Sequence, residues 1–255
     1  MTTKLLMFYF TSLSLIFTCG NTCKTKMSSN KYSSTLSTKQ FKIENIEYYR
    51  LEINQAVSLL KKQKQIIDLE LNKNERANIL SIAFPEIIRY NSFSDYIETS
   101  TNRILYINKG KKASDFSTGY FQMKPSFIED LENYVSNTES LQQYRSILIQ
   151  KKTDKEKRKE RIDRLENFQW QLRYLKVFWH ALEYKYKHIK FKNENEKIRL
   201  YATAYNYGFT KPEKEIIKYQ SIKVFPFGER INTEKFAFAD FSIDFLKIYP
   251  LFFNQ

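Results

Sequence analysis

The chain is poor in the residues that punctuate or cross-link a fold. Its 255 residues include 5 glycines, 5 prolines, 2 cysteines and 2 histidines. Both cysteines, Cys19 and Cys23, stand near the N-terminus, so the body has none. A disulfide framework, a cysteine-ligated zinc site and a cysteine nucleophile are thereby excluded from it. His180 and His188 have no third ligand-type residue near them, so a metal site is not expected; no cofactor is expected either. With 42% hydrophobic and 16% aromatic residues the chain is neither disordered nor collagen-like. Beyond residue 18 no apolar run is long enough to cross a bilayer.

What is abundant is positive charge. Lys and Arg number 42 against 28 Asp and Glu, a formal net charge of +14. Such a surplus fits an anionic partner: nucleic acid, anionic lipid or a polyanionic wall polymer. The KKQK cluster at 61–64 would suit phosphate contacts. The run from Lys151 to Arg164, however, is interleaved with Asp154, Glu156, Glu160 and Asp163, the pattern of a solvated helix face. Nucleic acid is therefore not the expected partner, and oligomeric state is not legible.

Lys4 precedes the uncharged LLMFYFTSLSLIFT at 5–18, the basic and apolar regions of an export signal. Ile16-Phe17-Thr18-Cys19 resembles the lipobox of bacterial lipoproteins, with Thr18 where Gly, Ala or Ser is usual. That resemblance implies lipidation of Cys19 and a lipid anchor to a membrane; simple cleavage is the other outcome. Residues 1–19 are thus read as a signal peptide, 20–40 as a flexible tether rich in Ser, Thr, Asn and Lys, and 41–255 as one domain.

Helical periodicity dominates that domain. Ile46, Tyr49, Ile53, Ala56, Leu60 and Ile67 predict a helix over 42–71. Ser126 with Glu129 reads as a capping box for a helix over 127–148, and Thr153 with Glu156 as the cap of the next. That next helix is expected to be long, with Ile162, Leu165, Phe168, Leu172, Leu175, Trp179, Leu182 and Tyr186 as its buried seam. Pro85 is expected to kink or end the helical stretch Asn74–Tyr90. Gly110 marks a turn, and Gly208 ends a helix beginning near Glu194. Residues 222–255 are read as an irregular or weakly stranded Phe-rich tail packed on the helices. The fold class is mainly α.

Three separated segments stand out: SIAFPEIIRY at 81–90, FSTGYFQMKP at 116–125 and YATAYNYGF at 201–209. In order and content they resemble the three motifs of the lysozyme-like lytic transglycosylases, the soluble-transglycosylase and goose-type lysozyme group. That family has a Glu near the end of a helix, then a Gly-Leu-Met-Gln-like segment before a Pro, then Ala-Tyr-Asn-x-Gly. Glu86, Gly119-Tyr120-Phe121-Gln122 with Ser117 before and Pro125 after, and Ala204-Tyr205-Asn206-Tyr207-Gly208 take those places. The likeness spans residues 74–210 and is divergent: Ile87 follows Glu86 where the family usually has Ser, and Pro85 precedes it. It implies a lysozyme-like helical domain, to which the long helix and the tail would be additions.

The resemblance implies cleavage of the β-1,4 bond between N-acetylmuramic acid and N-acetylglucosamine in peptidoglycan glycan strands. Glu86 would be the single acid and base, and the product a 1,6-anhydro sugar. Protonating an alkoxide leaving group needs a carboxyl that stays protonated near neutral pH. The apolar neighbours Phe84, Pro85, Ile87 and Ile88 favour that state, whereas a Glu that faces water or pairs with Arg89 would be ordinary. Ser117, Gly119, Tyr120, Phe121, Gln122, Tyr205 and Asn206 are the expected substrate contacts. Gly119 would let the backbone approach a sugar and Gln122 would bond an N-acetyl group. Tyr120 and Phe121 are either flat surfaces for pyranose rings or core; Tyr205 either sets its hydroxyl beside the acid or is a core aromatic. Asp95, Glu98 and Asp115 lie between the first two motifs but at no marked position, which favours the lyase over a hydrolytic muramidase. A lysozyme-like protein that binds the wall without turning it over is the other alternative. Localisation would be outside the cytoplasm, in the periplasm or on the outer membrane.

Overall fold

Apolar periodicity becomes helix along nearly all of the computed structural model, which describes residues 49–90, 96–226 and 234–253. The leader with Cys19, the tether, Ile46 and Asp95 lie outside the described residues. The first expected helix is two: α1 (Arg50–Lys62) and α2 (Lys64–Glu70). They part at Gln63, whose N–H is shared between the carbonyls of Leu59 and Leu60. The predicted face is nevertheless buried at Tyr49, Ile53, Ala56, Leu60 and Ile67.

Helix α3 (Arg76–Tyr90) runs through Pro85 and does not end there. Proline removes one N–H from the ladder, but packing on every side offsets that loss, since Ile79–Ala83 and Phe84, Ile87 and Ile88 are all buried. Helix α4 (Tyr96–Lys109) stops at Gly110, which takes φ 81° and donates its N–H to the Tyr106 carbonyl. Helix α5 spans Pro125–Ser136, with proline at its first turn, and a 3-10 helix, Glu139–Ile147, follows. The capping box expected of Ser126 and Glu129 is absent. Asp115 holds Ser126 instead, and Glu129 turns to Tyr106, Lys111 and Arg161.

The expected long helix is also two, α6 (Asp154–Leu165) and α7 (Phe168–Lys185). Thr153 and Glu156 form the predicted capping box at the first. Asn167 then starts the second by accepting the Trp170 N–H at 3.1 Å. All eight seam residues are buried across the break, so the stripe survives the interruption. Helix α8 (Glu194–Tyr207) is capped by Asn193 and ends at Gly208, φ 112°. A short helix α9 (Glu213–Tyr219) leads to an antiparallel ribbon of β1 (Lys223–Phe225) and β2 (Phe236–Ala237).

The C-terminal segment corrects the sequence reading most. It is a helix, α10 (Phe238–Phe253), not an irregular tail. Phe238, Phe241, Phe245 and Tyr249 recur at helical spacing and are buried, so the Phe-rich stretch is a core-facing stripe. Helix α10 packs on α3 and α8, with the rings of Phe84 and Phe245 4.3 Å apart. An aromatic cluster joins Tyr49, Phe225, Phe236 and Phe241 at its start. The result is a mainly α domain in which α3 is enclosed by α1, α7, α8 and α10.

Arginines of α6, part of the basic run, face inward. Arg161 is buried and joins Glu132 at 2.6 Å, the Tyr106 hydroxyl at 2.7 Å and Glu129 at 3.3 Å. Arg158 donates to the Ile107 carbonyl at 2.8 Å and Arg164 to Ile147 at 2.6 Å. Much of that charge therefore ties α4, α5 and the 3-10 helix together.

Candidate active site

Glu86 projects from the last turns of α3, and because that helix is enclosed, its residue is only 5% exposed. Its Oε2 lies 2.9 Å from an Arg89 nitrogen one turn on. Burial raises the carboxyl to about 7, against the opposing pull of Arg89 and of Lys124. Near neutral pH the group is thus divided between its acid and carboxylate forms.

The second motif is a tight turn. Thr118 and Met123 pair as an isolated antiparallel bridge, with N–H to O distances of 2.9 and 3.1 Å. Between them the Gln122 N–H reaches the Gly119 carbonyl at 3.1 Å, and the Gln122 side-chain amide donates to the same oxygen at 2.8 Å. Gln122 takes φ 50°, a left-handed conformation that non-glycine residues seldom adopt and that tends to sit at ligand sites.

Gln171 of α7 pins this turn from below. Its Oε1 accepts the Phe121 N–H at 2.9 Å and its Nε2 donates to the Leu165 carbonyl at 2.7 Å. Gly119, φ 71°, sits directly against it: a Cβ there would lie 1.9 Å from Gln171 Nε2 and 2.6 Å from the Leu165 oxygen. The close approach that requires glycine is therefore to the protein's own core. Phe121 is fully buried and packs on Phe168, whose ring also meets Tyr120 edge-on at 5.4 Å.

From α8, Tyr205 reaches the same turn. Its hydroxyl donates to the Phe121 carbonyl at 2.6 Å, and its ring packs on Phe127 and Phe178. Burial, and then the charge of Glu86, push the phenol well above its ordinary range, so it stays a hydrogen-bond donor. The sequence motif Ala-Tyr-Asn thus connects the third segment to the second through one bond.

A cavity of about 350 Å³ opens where these elements meet, lined among others by Glu86, Ser117, Gln122, Tyr205 and Asn206. Five of the eight sequence-selected residues in the body therefore share one surface. Gly119, Tyr120 and Phe121 are not among its lining residues: Gly119 and Phe121 meet Gln171 beneath the turn, and Tyr120 rests on Phe168. The remaining walls include residues that the motif pattern did not mark: Arg89, Asp115, Lys124 and Asp130. Asp115 accepts from the Ser126 N–H at 3.0 Å and its hydroxyl at 2.7 Å, so both carboxylate oxygens are engaged at the start of α5. Gln171 could have been suspected as a polar residue on an apolar helix face; Asp115 and Lys124 carried no such signal.

Neither histidine enters this site. His180 stacks on Tyr144 at 4.8 Å and contacts Glu183 at 3.1 Å, and His188 pairs with Glu213 at 3.0 Å. Among the described residues no group of three or more His, Cys, Asp and Glu is arranged to hold a metal ion, and no helix is long and apolar enough to cross a membrane. No protein-family model, curated protein or solved structure matches the chain.

Proposed function

We propose that the chain is a divergent lysozyme-like lytic transglycosylase that cleaves the N-acetylmuramic acid to N-acetylglucosamine bond of peptidoglycan. One observation supports this above the rest: Glu86, buried and raised to about 7, lines the same cavity as Gln122 and Tyr205. In this reading the protonated Glu86 gives its proton to the glycosidic oxygen as the bond to C1 breaks. The resulting carboxylate then takes the proton of the muramic C6 hydroxyl as that oxygen bonds to C1. The product is a 1,6-anhydro sugar, no water is consumed, and Glu86 returns to its starting state. Tyr205, a donor near Glu86, holds the turn that presents Gln122. The positive surplus of the chain favours dwelling on an anionic wall, with affinity falling as salt rises. Export through the N-terminal segment, with Cys19 as the lipid attachment site, would deliver it to the periplasm or the outer membrane.

Asp115, in the same cavity, favours a second reading, hydrolysis by a muramidase that uses it to activate water. Its engagement by Ser126 at both oxygens weighs against that role. A binding protein without turnover is the third. Purified sacculi digested with the mature chain and analysed by mass spectrometry separate them. Anhydromuropeptides that disappear with Glu86→Gln carry the first reading. Reducing-end muropeptides would replace it with the second, and binding without release would replace it with the third.

A further inference from the structure

Arg89 occupies an unusual position: its side chain is 30% exposed, lines the cavity, and contacts a carboxylate that is 6% exposed. The contact is an ion pair at 2.9 Å in which the buried Glu86 Oε2 receives no aligned hydrogen bond among the described residues. A guanidinium prefers a planar two-point grip on a carboxylate, and this one does not have it from Glu86. It is therefore available for exchange with a better-placed anion entering the cavity.

We infer that Arg89 is a carboxylate-recognition residue that trades Glu86 for an acidic group on the saccharide, so that ligand binding itself drives Glu86 to its protonated, acid form. This rests on the reading of the cavity as a saccharide site and adds its ligand selectivity. The ligand class is a carboxylate-bearing amino sugar; the carboxylate belongs either to the lactyl ether of muramic acid or to an attached peptide.

The electrostatics run one way. Arg89 and Lys124 are the cations that hold Glu86 down. When the ligand carboxylate recruits Arg89, Glu86 loses a countercharge and gains a negative neighbour, and both changes favour the proton. The other titratable groups facing this corner are Tyr205 from α8, Asp115 ahead of α5 and Asp130 on α5. On α10, Asp240 pairs with Arg199 at 2.8 Å, Asp244 with Lys247 at 2.7 Å through one oxygen, and Tyr249 feels Arg76 and Asp68. By linkage, a ligand that raises the affinity of Glu86 for a proton must itself bind more tightly where that proton is available.

Binding of N-acetylmuramic acid, muramyl dipeptide and N-acetylglucosamine to the mature chain, measured by NMR or calorimetry at pH 6 and pH 8.5, tests this. The carboxylate-bearing ligands should bind about tenfold more tightly than N-acetylglucosamine, with affinity falling as pH rises and a proton taken up on binding. Preference for N-acetylmuramic acid assigns Arg89 to the lactyl carboxylate; preference for the dipeptide assigns it to the peptide. Arg89→Gln should abolish the preference. Glu86→Gln, which frees Arg89 without disturbing it, should strengthen carboxylate binding and flatten its pH dependence. Equal binding of all three sugars, unaltered by either variant, overturns the inference while leaving a saccharide site in place. No binding of any sugar would instead remove the saccharide reading beneath it.

Discussion

Among the described residues two glutamates are almost withdrawn from water, and their surroundings differ. Glu132, on α5, is 8% exposed and Glu86, on α3, is 5% exposed. Burial raises the carboxyl of both. Glu132 meets Arg161 at two nitrogens, 2.6 and 3.4 Å away, and the Tyr174 hydroxyl at 3.4 Å. Glu86 has one ion contact, to an arginine whose side chain is 30% exposed, and opens on a cavity. A carboxylate enclosed by donors serves the fold; one that is desolvated, thinly partnered and open on one side is prepared to exchange a proton. Burial alone does not separate Glu86, the proposed acid, from the structural ion pair of Glu132; their partners are what differ.

Substitution at each position should separate the two. Glu86→Gln is expected to lower glycan cleavage by ~10³-fold while the folded state persists, seen by sacculus digestion beside circular dichroism. Glu132→Gln should do the reverse, destabilising the domain by about 3 kcal/mol in denaturant melts because Arg161 loses its buried countercharge. Loss of fold in the first variant, or loss of cleavage without loss of stability in the second, would erase the distinction.

The pH dependence sharpens it further. In the folded chain Glu86 is raised to about 7 from an ordinary 4.5, so the folded state holds a proton that the unfolded state has released. That stability is fully present below pH 4.5 and is lost as pH rises through about 7, a decline of roughly 3 kcal/mol that urea titrations of Glu86→Gln should lack. Cleavage should fall over the same upper range as the acid form is depleted.

Smaller effects test the support of the cavity. Tyr205→Phe leaves the Phe121 carbonyl without its 2.6 Å donor and should destabilise by about 2 kcal/mol while slowing cleavage. Thr153→Ala removes a capping box remote from the cavity. It should lower Tm by about 2 °C and leave cleavage unchanged.

Helix-forming stripes and the residues that converge on the cavity were readable in the sequence because both are local patterns. The seam from Ile162 to Tyr186 is buried throughout, and Glu86, Gln122 and Tyr205 meet although 36 and 83 positions separate them in turn. Breaks at Gln63 and Glu166 were hidden because the apolar face continues across them. The helix of Phe238–Phe253 was obscured by phenylalanine, whose strand preference competes with its helical spacing there. In the sequence Gly119 reads as a point of close approach to a sugar, but the partner that crowds it, Gln171, arrives from another helix. Arg89 was visible as a pairing partner; its place on the cavity wall emerges only in three dimensions.

Direct titration of Glu86 is the most economical test of the whole scheme. With carboxyl-labelled glutamate, the NMR signal that disappears in Glu86→Gln should titrate with a midpoint near 7 in the native domain. A midpoint at the ordinary 4.5 would mean that the carboxyl is solvated or firmly paired, and it would contradict its role as the acid.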